Sequence, residues 1–158
     1  MSEAYATDYY GWTREQADAL ARRSANELDW ENLREEVEGL GKQQRSELHS
    51  HLKRLLQHLL KWRYQEARRS RSWTLTVAEQ RAEAERVVQA NPSLKPELGS
   101  VLQEAYRTAR IAAARDTKLP ISTFPDQPPF TFEEAMTEPV EWTAPEPQRR
   151  SRTRKTKA

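Results

Sequence analysis

Three histidines, His49, His51 and His58, lie in one stretch from Glu47 to Trp73, ELHSHLKRLLQHLLKWRYQEARRSRSW, and the chain has no others. Imidazole nitrogens beside carboxylate oxygens are the donor set of zinc, iron and manganese sites in helical bundles. Glu47 stands four residues before His51, so on a helix the two share a face. His51 and His58 are seven apart on the same edge. Two turns separate them by about 10 Å, too far for one helix to present both to one ion. A metal site therefore needs a ligand from elsewhere. Glu36, or Glu35 beside it, is the candidate, and the expected set is Glu36, His51 and His58. The competing reading makes these histidines edge residues of an apolar seam. His49-Ser50-His51 cannot form a nucleophile relay, because adjacent helix positions point apart.

The second cluster is Arg68-Arg69-Ser70-Arg71-Ser72-Trp73. Forked guanidinium donors, hydroxyls, helix-starting amides and an indole face each suit a phosphoanion. The rival is internal pairing. Glu27, Asp29, Glu31, Glu35, Glu36 and Glu38 crowd one segment against Arg34 alone. An arginine turn meeting that acidic helix, within the chain or across a dimer, would be ordinary ion pairing.

A third feature is the end of the chain. QRRSRTRKTKA holds six basic residues and no acid; without it, 20 basic residues face 24 acidic ones. The sequence pI of 9.0 belongs largely to this tail. Residues 143–158 read as a disordered basic tail, which attracts nucleic acid or another polyanion through counterion release.

Other chemistry is excluded by composition. No cysteine means no disulfide, thiolate zinc site, iron–sulfur cluster or cysteine nucleophile. The glycine-rich phosphate loops, the nucleophile elbow and the HExxH motif are missing. No catalytic residue and no cofactor is assigned. The N-terminus MSEAYATDYYGW lacks the basic and apolar regions of a signal peptide, and no run spans a membrane, so a cytoplasmic location is expected.

The elements that must position these residues read as helices. The 158 residues are 36% hydrophobic and 32% charged, with four glycines, which suits amphipathic helices and not a sheet. A capping box at Thr13–Gln16 predicts a helix over 14–24 with Ala17, Leu20 and Ala21 inward. Asp29 caps the next, where Trp30, Leu33, Val37 and Leu40 form an apolar face. Gly39 and Gly41 follow, and a kinked continuation is expected there. Leu48, Leu52, Leu55, Leu59 and Trp62, broadened by Leu56 and Leu60, form the seam of a central helix over 42–66. Ser70 or Ser72 caps a helix over 73–90, which Asn91-Pro92 ends in a left-handed conformation. Ser93 caps a helix over 94–115. LPISTFPDQPPF then drapes over the surface, anchored by Phe124, Phe130 and Phe132, and a capping box at Thr131–Glu134 opens a short helix near 132–136.

LDWENLREEVEGLG, LLQHLLKWRYQEARRSRSW, NPSLKPEL and LPISTFPDQPPFTFEEAM, in that order, resemble the bacterial family called domain of unknown function 29. The family's segments DLENLxEEIExLG, HLLKWxYQxxxRSxSW and FPxxxPxxxEE correspond to Leu28–Gly41, His58–Trp73 and Phe124–Glu134. The resemblance covers Tyr5 to Trp142. It implies an all-α fold and a bacterial cytosolic protein, and it implies that His58, Trp62, Arg69, Ser70, Ser72 and Trp73 belong to family blocks. It brings no activity, cofactor or catalytic residue.

The expectation is one helical domain over 1–142: an antiparallel bundle of four main helices with a Pro-rich C-terminal wrap. The wide central seam predicts a homodimer. The function expected is a non-enzymatic interaction or scaffold module. The alternatives are a nucleic-acid or phosphoanion binder and a metal-dependent bundle enzyme.

Overall fold

The structure is a computed structural model and describes residues 3–146. Its elements are α1 (Glu3–Thr7), α2 (Tyr9–Ala21), α3 (Trp30–Tyr64), α4 (Arg71–Ala90), α5 (Leu98–Thr117) and α6 (Phe132–Thr137), joined by short 3₁₀ turns. No strand occurs among the described residues, and the fold is an all-α bundle. No described helix is long and apolar enough to cross a membrane.

α3 organises the rest. Its 35 residues span about 52 Å at 1.5 Å per residue. Asp29 caps it, accepting from the Asn32 amide. It runs unbroken through Gly39 and Gly41, where a Cβ would meet open space. These glycines cost helix propensity without ending the helix.

Leu48, Leu52, Leu55, Leu56, Leu59 and Leu60 are fully buried, and Trp62 nearly so. Burying a leucine contributes roughly 1.5–3 kcal/mol before chain entropy is charged against it. α4 brings Val77, Ala84, Val87 and Val88 to this ladder; α5 brings Val101, Leu102, Ala105, Tyr106 and Ala109. α4 runs antiparallel to α3, since Glu47 meets Arg86 while His51 meets Gln80. α5 runs the same way as α3: Arg45 pairs with Glu97 and Glu104, and Lys61 with Asp116. The two neighbours cover the central seam between them. The width of that seam therefore calls for no second copy.

The C-terminal wrap is pinned as its phenylalanines predict. Phe124 and Phe130 are buried, and Phe132 packs on the core edge. Tyr106 donates to Pro125 O at 2.6 Å and Arg110 Nε to Phe124 O at 3.1 Å. Arg81, half-buried, donates to Ala135 O and Glu138 O at 3.0 and 2.6 Å. Burial lowers its pKa from the ordinary arginine value. The Thr131–Glu134 capping box is complete.

Several boundaries differ from the sequence expectation. α2 starts at Tyr9, where Asp8 accepts from Gly11 N, so Thr13 is not its cap. Gln16 is instead buried and accepts from Asp29 N at 2.7 Å, which ties α2 to the start of α3. Trp12 and Ala19 face inward on α2, whereas Ala17, Leu20 and Ala21 are exposed. Asn91 has φ −133°, and its side chain donates to Val87 O, so it ends α4 without a left-handed residue. Among the described residues, Arg23 and Lys118 are left-handed, and they follow α2 and α5. Ser93 caps no α-helix: Pro92–Glu97 forms a 3₁₀ turn and α5 begins at Leu98.

Candidate functional sites

The arginine turn is built from two helix ends. Ser70 caps α4, accepting from Trp73 N at 3.3 Å. Arg69 folds back: Nε donates to Trp62 O at 2.8 Å, Nη1 reaches Glu66 at 3.4 Å, and the guanidinium lies over the Trp62 ring. Trp73 is half-buried, with Lys61 Nζ 4.7 Å from its ring centre. Arg69, Ser70 and Trp73 thus hold the turn together. Arg68, Arg71 and Ser72 are exposed, and neither arginine makes an ion pair among the described residues.

Pairing with the acidic segment 29–38 does not occur within the chain. That segment opens α3 and the arginines follow its end, so the helix itself holds them about 40 Å apart. Asp29 caps α3 and accepts from Trp12 Nε1 at 3.2 Å. Glu38 lies 3.5 Å from Arg34. Glu36 accepts from Tyr5 at 2.5 Å and Tyr9 at 2.7 Å. Those hydrogen bonds, the Tyr5 one first, lower the Glu36 pKa, and the Glu36 carboxylate pushes Tyr5 up to about 12.

The expected metal set is not brought together. Glu36 is held by the two tyrosines at the far end of α3. His58 Nδ1 donates to its own helix at Arg54 O, 2.9 Å away. Burial lowers the His58 pKa. His51 meets two other carboxylates. Its Nε2 lies 3.8 Å from Glu47 on α3 and 4.0 Å from Glu83 on α4. Its Nδ1 lies 2.8 Å from Gln80 Oε1, and Gln80 is buried. Arg86 bonds both carboxylates, reaching Glu83 at 2.9 Å. Spacing along α3 carries no information about α4, so the sequence gives no signal for Glu83, Gln80 and Arg86.

A third locus is the apolar face that opens α3. Trp30, Val37 and Leu40 on it are exposed by 63%, 66% and 63%. α4 and α5 are 20 residues each, about 30 Å, and the hydrogen bonds and ion pairs of α3 with that part of the bundle start at Gln44, which meets Asn91 after α4, and Arg45, which meets Glu104 on α5. The first four turns of α3 project past the bundle. There α1 and α2 pack on one side through Tyr5, Tyr9, Trp12 and Gln16. Trp30 donates to Ala25 O at 3.2 Å, which satisfies its nitrogen while the ring stays outside. Leu20, Trp30, Leu33 and Val37 line a shallow groove rimmed by Arg34 and Glu38.

Fold and loci define an all-α bundle in which the first turns of the longest helix carry an exposed apolar face. The family model described as "Domain of unknown function DUF29" matches residues 4–140, and the chain belongs to that family. Neither the curated proteins nor the solved structures contain a match to the chain.

Proposed function

We propose that the protein is a helical interaction module that pairs with a second copy of itself through the projecting first turns of α3. The observation that carries this is the exposure of Trp30, Val37 and Leu40 at coiled-coil seam spacing. An antiparallel partner helix sets Trp30 against Leu40 and Leu33 against Val37. The same two-fold brings Arg34 of each copy towards Glu38 of the other, exchanging the pair each makes within its own chain. With Leu20 included, roughly 500 Å² of apolar residue surface per copy is on offer, about 1,000 Å² for a pair, the lower bound of specific interfaces. The expected association is weak and concentration-dependent. It needs no catalytic group, and a cysteine-free chain in a reducing cytoplasm fits it.

The chain has no cysteine, so single cysteines report the face directly. Arg34→Cys, treated with a short bis-maleimide, should give covalent dimer, and Glu79→Cys on the exposed side of α4 should not. Equal yields from both would sink the proposal.

A second reading has one observation in its favour: Arg68, Arg71 and Ser72 stand exposed around the start of α4. It makes that turn a phosphoanion or nucleic-acid contact, aided by the basic tail, of which residues 147–158 lie outside the described residues. Salt-dependent affinity for single-stranded nucleic acid should then survive removal of residues 144–158 and drop in Arg68→Ala/Arg71→Ala. Affinity that disappears with the tail alone removes the turn from the account.

A further inference from the structure

We propose that Glu47, His51 and Glu83 form a binding site for a divalent transition cation, with zinc as its probe. One ligand atom from each residue lies within 4.8 Å of the other two. Bonds of about 2.0–2.2 Å to nitrogen and oxygen set tetrahedral ligand pairs roughly 3.4 Å apart. The histidine-to-carboxylate separations of 3.8 and 4.0 Å are within about half an ångström of that, and the two carboxylate oxygens, within 4.8 Å of each other, must close by up to about 1.4 Å as their side chains turn towards an ion. Glu47 and His51 are fixed one turn apart on α3, and Glu83 comes from α4, which buried apolar packing locks against it.

The tautomer points the same way. Gln80 Oε1 can only accept, so the 2.8 Å contact makes His51 Nδ1 the donor. Nε2 of the neutral ring then carries its lone pair towards the two carboxylates. A buried carbonyl oxygen orienting the far nitrogen of a histidine is how proteins prepare metal-binding imidazoles. Gln80 is 5% exposed, so this partner is itself held in place.

Arg86 is the internal competitor. Its guanidinium bonds both Glu47 and Glu83, supplying the positive charge the carboxylates call for. Its side chain is 55% exposed and can swing into water when an ion takes its place. His51, Glu47 and Glu83 keep 22%, 34% and 39% of their side-chain surface, so the site opens to solvent on one side. A water fits there as fourth ligand, and the donor set of one imidazole and two carboxylates suits zinc or manganese better than calcium.

The test is calorimetric titration of zinc into the tag-free full chain and variants, with circular dichroism confirming the fold of each. One-to-one binding is expected. Glu83→Gln should weaken it about tenfold or more. Arg86→Gln should tighten it several-fold, because the competing cation is gone. His58→Asn and His49→Asn should leave it unchanged. A merely adventitious ion would be insensitive to Glu83→Gln, or would be lost with His49 or His58, and either result overturns the site. So would loss of affinity in Arg86→Gln, which would mean the arginine supports the ion instead of replacing it.

Discussion

One substitution made twice on α3 separates its two halves. Leu56→Ala removes a side chain with no exposed surface from the core that α3, α4 and α5 share. Leu40→Ala removes one that is 63% exposed. Leucine and alanine differ little in helix propensity, so that contribution nearly cancels. At Leu56 the lost transfer energy and the cavity together cost about 3–4 kcal/mol. At Leu40 the isolated chain loses only the third of the side chain it shelters, about 0.5 kcal/mol or less. The gap of about 3 kcal/mol is more than a hundredfold in the folding equilibrium. Urea denaturation followed by circular dichroism, at a dilution that holds the protein monomeric, measures both. In concentrated solution Leu40→Ala should also lose the extra stability that association lends the parent chain. If Leu40→Ala costs as much as Leu56→Ala at high dilution, that leucine is covered within the monomer and the outward face does not exist.

Other consequences follow from local geometry. Gly39 and Gly41 sit mid-helix with open space where a Cβ would go, so alanine at either should stabilise α3 by up to about 1 kcal/mol, read from the denaturation midpoint. Tyr5 is raised from 10.0 to about 12 by its bond to Glu36. A raised folded pKa contributes stability below the unfolded value that is lost as pH climbs through the folded one. The α1 contact should therefore loosen between about pH 10 and 12, seen as tyrosinate absorbance that appears late for Tyr5 and at lower pH in Glu36→Gln. The lowered Glu36 pKa works oppositely, and its share is lost on acidification below the ordinary carboxylate range. Arg81→Met removes both clasps on Ala135 O and Glu138 O and should cost about 1.5–3 kcal/mol, with hydrogen exchange rising in α6 before α3.

What was legible in the sequence was what depends on one helix at a time. The leucine ladder from Leu48 to Leu60, the Ser70 and Asp29 caps, the Thr131 box and the phenylalanine anchors obey local periodicity or local hydrogen bonding, and they stand as expected. The Trp30–Leu40 stripe shows the limit of periodicity. A seam spacing says that a face is apolar, not that the same chain covers it, and here α4 and α5 are too short to reach. The Thr13 box failed because Gln16 had a better use, bonding the backbone at Asp29 across the α2–α3 junction. The metal set failed for a related reason. His51 was found, but its partners Gln80 and Glu83 come from the antiparallel neighbour, and the register of α4 against α3 is set by packing that no single-helix wheel contains. Pairing of Arg68–Arg71 with the acidic segment 29–38 within one chain is excluded only because α3 is one continuous helix, which puts the two segments at opposite ends.

Sedimentation velocity across a wide concentration range, on the parent chain and on Val37→Asp, tests the central claim most directly. Val37 is 66% exposed within the stripe, so aspartate there leaves the monomer folded while setting an unpaired carboxylate against Leu33 of the other copy, twice per dimer. The account predicts a monomer–dimer equilibrium for the parent chain that Val37→Asp abolishes with its circular dichroism unchanged. A parent chain that stays monomeric at the highest concentration, or a dimer that Val37→Asp leaves intact, contradicts it.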